Sequence, residues 1–145
     1  MAQELAEADD IKCATLFIDD DVAVQDSLYT VGRRGVAGNF FVIKAVGAKS
    51  EQGASLEEVK AIGEKVNSVT RTMGIALSSC TPPAKGVPLF EIADDEIEVG
   101  MGAHGEAGIA RQKLVPADAV ADALLARILP DLPFSACDEV ASGVA

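Results

Sequence analysis

The chain has 145 residues, 49% of them hydrophobic, and 12 Lys or Arg against 23 Asp or Glu give a formal net charge of −11. That length suits one domain burying about 68% of its unfolded surface, and the apolar content excludes a disordered chain, while no apolar run nears the ~20 residues of a membrane span. The acidic balance supplies no basic stripe for nucleic acid, and the acidic start from Met1 to Asp10 is not a secretory signal, so a soluble cytoplasmic protein is expected.

Residues Ala2 to Ala8 read as the end of a helix, and Cys13 to Ile18 as a short buried strand closed by the triplet Asp19, Asp20, Asp21. Charge runs usually face water, so the triplet is expected to form a solvated turn and not a cation site. Cys13, Cys80 and Cys137 are an odd number without Cys-x-x-Cys spacing, which suggests reduced thiols and neither a disulfide framework nor a transition-metal site. The stretch Gly32-Arg33-Arg34-Gly35 leads through Gly38 into the apolar run Phe40 to Ile43, a loop feeding a buried helix. Arg33 and Arg34 could hold an anion, although arginines beside glycines more often make helix-end or interface contacts.

Ser55-Leu-Glu-Glu58 has the form of a capping box, so a helix starts there. Leu56, Val59, Ile62, Val66 and Val69 follow at spacings of three and four and form a core stripe running toward Gly74. Strands are expected over Ile75 to Cys80 and Leu89 to Ile92, separated by the turn from Pro82 to Gly86. After Asp94-Asp95, the residues Ile97, Val99 and Met101 alternate with Glu96, Glu98 and Gly100, the period of a strand with one wet face. Pro116 fits the first turn of a helix whose apolar face is Val120, Leu124, Leu125, Ile128 and Leu129, stopped by Pro130 and Pro133. The segment from Asp138 to Ala145 begins like a strand. The chain thus reads as one compact α/β unit, a mixed sheet with flanking helices, or as consecutive parts of two domains.

Between the Glu96 strand and the last helix lie nine residues, Gly100 to Gly108, that contain four glycines and the chain's one histidine, His104. Glycine accepts positive φ and lets a ligand approach the backbone, so this loop would present His104 outward with little side-chain cover. Short glycine motifs alone more often mark an ordinary hairpin whose histidine is an exposed turn residue.

The stretch Phe17-Ile-Asp-Asp-Asp-Val-Ala-Val-Gln-Asp-Ser-Leu-Tyr-Thr-Val-Gly-Arg-Arg-Gly-Val-Ala37 resembles the K subunit of dihydroxyacetone kinase. The resemblance continues through Met73 to Thr81 and Glu91 to Gly102, into His104-Gly-Glu-Ala-Gly108, and covers Met1 to about Val140. It implies an α/β fold in which residues 1–72 end a first subdomain and 73–145 begin a second. His104 matches the histidine that, in this family, attacks the carbonyl carbon of dihydroxyacetone and holds the triose as a covalent hemiaminal. Gly102, Gly105, Glu106 and Gly108 match the loop around it. A ring nitrogen free to attack requires an acceptor for the other nitrogen's hydrogen, a role the sequence leaves open although Glu106 is in the same loop.

The resemblance further implies a separate L subunit or domain carrying ATP or ADP with Mg²⁺, no cofactor on this chain itself, and a homo-oligomer. No Gly-x-x-x-x-Gly-Lys loop stands here to cradle a nucleotide. The family's Ser-Gly-His-Glu-Pro and Asn-Tyr-Thr-Gly-Asp segments, with a second histidine and the expected aspartate base, have no counterpart in this sequence. A base contributes about 10²- to 10⁴-fold, so triose binding with little turnover by this chain alone is the expectation. Ala103 and Ala107 stand where the family more often has Ile and Pro, which implies a less rigid loop. The substrate would be dihydroxyacetone or a neighbouring short ketose such as erythrulose. The alternative is a truncated, non-catalytic module that self-associates or binds a partner without turnover.

Overall fold

The capping box at Ser55 starts a helix, as its sequence predicts. The Ser55 hydroxyl accepts from the Glu58 amide at 3.3 Å, and the Glu58 carboxylate accepts from the Ser55 amide at 2.9 Å, so two orphan donors of the first turn are satisfied reciprocally. In the computed structural model, which describes residues 2–25, 32–136 and 138–143, the helices are α1 (Ala2–Ala8), α2 (Gly38–Glu51), α3 (Leu56–Val69) and α4 (Ala117–Ile128). The strands are β1 (Ile75–Ala76), β2 (Glu96–Val99) and β3 (Ala110–Lys113), and a single 3₁₀ turn, Leu129–Asp131, follows α4. The result is a mixed α/β fold.

The sheet is antiparallel in the order β1-β2-β3, with Ile75 opposite Val99 and Ile97 opposite Gln112. The alternation expected along β2 is met at Ile97, 1% exposed and the most buried apolar side chain among the described residues, but Glu98 and Val99 are both half-buried and Gly100, expected on the wet face, is buried. Helices α2 and α3 pack against each other, with Gly63 buried against Val46 of α2 and Leu16. Val59, Ile62 and Val66 are half-buried in this contact, whereas Leu56 and Val69 at the ends of the expected stripe are exposed. Helix α3 ends at Val69, well before Gly74, because the backbone turns extended at Thr70. Pro116 stands immediately before α4, consistent with its preset φ, and the 3₁₀ turn carries Pro130.

Several expected features differ. Cys13 to Ile18 forms no strand among the described residues, and Phe17 is 84% exposed; an apolar run states a preference for burial without supplying a partner. What holds this segment is a side chain, Asn67 of α3, which donates to the Phe17 carbonyl and accepts from the Asp19 amide. Of the second half's expected strands, Ile75 to Cys80 shrinks to β1, and Leu89 to Ile92 forms none. There the ties are single bonds, Leu89 N to the Cys80 carbonyl and Phe90 N to the Ser79 hydroxyl, and Pro88 has no amide to extend them into a ladder. Residues 138–143 form no strand, and β3 fills a place for which no strand was expected. The helix after Gly35 exists, but Phe40, Phe41 and Ile43 are exposed and only Gly38 and Val42 are buried.

The acidic triplet is the largest correction. Asp20 and Asp21 are 0% and 1% exposed, because each carboxylate has partners that no run-of-charge argument can supply. Asp20 accepts from the amides of Val36 and Gly38 at the start of α2 and from the Thr72 hydroxyl, while its carbonyl accepts from the Thr72 amide. Asp21 forms a parallel bridge with Thr72 and an ion pair with Arg34. This cluster joins the loop before α2 to the chain after α3.

Accessible surface totals 10206 Å², against roughly 7,000 Å² for a compact monomer of this mass. Large apolar side chains such as Phe17, Phe40, Ile43 and Leu77 contribute to it, each at least 59% exposed.

Candidate functional site

The antiparallel hairpin of β2 and β3 carries the glycine loop at its tip. Outermost, the ladder closes with the Ile109 amide on the Val99 carbonyl at 2.8 Å. Inside that, the Gly102 amide donates to the Glu106 carbonyl at 3.1 Å and the Gly105 amide to the Gly102 carbonyl at 3.2 Å, so residues 102–106 form a tight turn with His104 at its apex. Gly105 has φ +84°, a left-handed conformation that strains any residue with a side chain. Gly102 is needed for space: a methyl group there would lie 2.9 Å from the Glu106 carboxyl carbon and 3.1 Å from an Arg34 nitrogen.

Glu106 folds back into the turn. One carboxylate oxygen accepts from the His104 amide at 2.9 Å and the other lies 3.3 Å from His104 Nδ1. Burial alone would raise the Glu106 carboxyl, but its own amide, the His104 amide and the His104 ring outweigh it and hold the group below the ordinary carboxylate value. The His104 side chain is 87% exposed, with Nδ1 facing Glu106. The open role of Nδ1 partner thus falls, in this geometry, to Glu106. Gly108 lies on the far side of the turn, where its amide donates to Glu98 of β2 at 3.1 Å.

The two arginines have separate fates. Arg33 reaches Asp131 and Gln25, while Arg34 pairs with Asp21, so both are engaged by the chain's own groups and neither is presented for an anion. Sequence reasoning missed Asp20, Asp21 and Glu98 as parts of the frame around the loop. Their one signal was the coincidence of an acidic triplet and an arginine pair in a short stretch. Among the described residues no three His, Cys, Asp or Glu side chains gather as a metal site, and no helix is long and apolar enough to cross a membrane. Ser27 and Tyr29 of the resembling stretch, and Cys137, lie outside the described residues.

Known proteins resemble this chain in sequence and fold. The dihydroxyacetone-binding subunit DhaK of the PTS-dependent dihydroxyacetone kinase 1 of Listeria innocua is 53% identical over 140 residues, 97% of this chain and 43% of that protein. The corresponding subunit of the PEP-dependent kinase of Escherichia coli is 47% identical over 128 residues, 88% of this chain and 36% of that protein. The chain therefore spans less than half the length of these curated relatives. Among solved structures, the dihydroxyacetone kinase of C. freundii in complex with AMP-PNP and Mg²⁺ superposes with a TM-score of 0.79 at 30% identity, over 91% of this chain and 24% of that one. A dihydroxyacetone kinase operon co-activator, DhaQ, superposes with a TM-score of 0.77 at 26% identity, over 90% and 40%. With residues 1–144 matching the Dak1 domain, the chain belongs to the Dak1 domain family, as the resemblance around the His104 loop implied.

Proposed function

We propose that this chain supplies the triose-binding portion of a dihydroxyacetone kinase, with His104 as the covalent anchor. The observation that carries the reading is the exposed imidazole at the apex of a turn whose Glu106 faces Nδ1. With the proton on Nδ1 and Glu106 as its acceptor, Nε2 keeps its lone pair for the carbonyl carbon of the ketose. The N–C bond forms as the carbonyl π pair moves to oxygen; that oxygen takes a proton, and Nδ1 loses one through Glu106, leaving a neutral hemiaminal. Tethering fixes which terminal hydroxyl faces a phosphoryl donor, where a three-carbon molecule offers little surface for binding.

The relatives named as dihydroxyacetone-binding subunits support this substrate class. By the same reading, ATP or ADP with Mg²⁺ belongs to a partner L subunit or domain, Gly102, Gly105 and Gly108 shape the loop, and the assembly is a cytoplasmic homo-oligomer. One structural neighbour is named as an operon co-activator, so the fold does not by itself imply phosphoryl transfer. The test therefore reads capture separately from turnover. Native mass spectra with dihydroxyacetone are expected to gain one triose per chain, and His104→Ala to lose it. A gain that persists in His104→Ala overturns the assignment.

A further inference from the structure

Both ends of the His104 loop meet one guanidinium. Arg34 donates through Nε to Asp21 at 2.6 Å, through one terminal nitrogen to the Gly100 carbonyl at 2.6 Å and through the other to the Ala107 carbonyl at 3.3 Å. Gly100 precedes His104 by four residues and Ala107 follows it by three. The side chain comes from the loop before α2, 66 residues upstream of Gly100, and is 8% exposed. Its anchor is itself fixed: Asp21 is 1% exposed, its second carboxylate oxygen accepts from the Ala23 amide at 2.9 Å, and its amide donates to the Arg34 carbonyl at 3.1 Å.

We infer that Arg34 is a positioning residue for the His104 loop, bridging its two ends to the buried Asp21 and so setting the turn in which Glu106 and His104 meet. The consequence for triose capture rests on the reading of His104 given above; the clamp itself does not. Three acceptors in three directions suit the planar, five-donor guanidinium and not an ammonium, which concentrates its charge at one nitrogen. The bond between Val99 and Ile109 closes the base of the loop, and the Gly102–Glu106 bonds close its tip. Beside the Gly108–Glu98 bond and the bond from the Gly100 amide to the Gly74 carbonyl, Arg34 is the side chain that reaches both ends of the loop, from a segment that shares no ladder with either strand. It also gives Gly102 a second reason to lack a side chain, since a methyl group there would meet Arg34 as well as Glu106.

The experiment compares amide hydrogen exchange in the wild-type chain, Arg34→Met and Arg34→Lys, with peptides covering 100–108 and 56–69 read separately, and triose occupancy by native mass spectrometry. Arg34→Lys keeps a charge for Asp21 but cannot span both carbonyls. Exchange in 100–108 is expected to rise about ten-fold or more in both variants, the loss of at least one charge-assisted bond. In Arg34→Lys, peptide 56–69 is expected to keep its wild-type protection, and triose occupancy to fall although His104 is intact. Should Arg34→Met open every peptide, Arg34→Lys decides by the same criterion. Unchanged exchange in 100–108, or equal rises in both peptides of Arg34→Lys, would mean that Arg34 is a general core contact and overturn the clamp. A wild-type chain that captures no triose while its loop still responds to Arg34→Lys would sink the His104 reading and leave the clamp standing.

Discussion

Arg33 and Asp131 meet fork to fork, with two terminal guanidinium nitrogens 2.7 and 2.6 Å from the two carboxylate oxygens across 98 residues of sequence. Arg71 adds a third donor to the same carboxylate, so the 3₁₀ turn after α4 is tied to the loop before α2 and to the chain just after α3. All three side chains are less than one-fifth exposed, which removes much of the screening that makes surface pairs weak. Asp131→Asn is expected to cost about 1–3 kcal/mol in denaturant unfolding, by leaving two guanidinium groups without a charged acceptor.

Acid should expose the same contact. Hydrogen bonds from Arg33 hold the Asp131 carboxyl well below its ordinary value against the opposing effect of burial, with Arg71 adding to the pull. The group binds protons more readily in the unfolded chain, so its contribution is fully present above the unfolded value of 3.8 and is lost as pH falls below that toward the depressed folded value. Thermal unfolding followed downward from pH 5 should fall more steeply in wild type than in Asp131→Asn. Parallel curves would contradict this account.

Asp20 has no exposed surface and caps the approach to α2 through the Val36 and Gly38 amides. Asp20→Ala strands both amides and the Thr72 hydroxyl, a loss of roughly 3 kcal/mol or more. Circular dichroism of the purified variant should show reduced helix content at a temperature where wild type is fully folded.

The loop tip offers a test that leaves its chemistry in place. Gly102→Ala introduces a methyl group within 2.9 Å of the Glu106 carboxyl carbon, so Glu106 must leave the turn or the turn must open. Triose occupancy is expected to drop about ten-fold while the α3 region keeps its exchange protection. Wild-type occupancy in Gly102→Ala would show that the Glu106 geometry does not matter for capture.

Ser55→Ala removes one half of the capping box. The expected cost is about 1 kcal/mol, measured by thermal melting, with no effect on the loop between β2 and β3. A loss confined to α3 would agree with the local origin of this helix start.

Those features whose partners are close in sequence could be read from it. The capping box and the proline before α4 each depend on residues within one or two turns and stand as expected, and the alternation along β2 is met at Ile97. The glycines likewise place His104 in the open, because backbone freedom is a property of the residue itself. Tertiary structure alone decided the rest. Asp20 and Asp21 read as solvated charge because burial of a carboxylate depends on donors 13 to 52 residues away, and Cys13 to Ile18 read as a buried strand because an apolar run cannot name its neighbour. Glu106 was legible as a loop residue but not as the partner of Nδ1, which required the turn to close and bring its carboxylate within 3.3 Å of the ring. The reason is common to all three: a polar or apolar side chain states what it needs, and only the folded chain determines whether something distant meets the need.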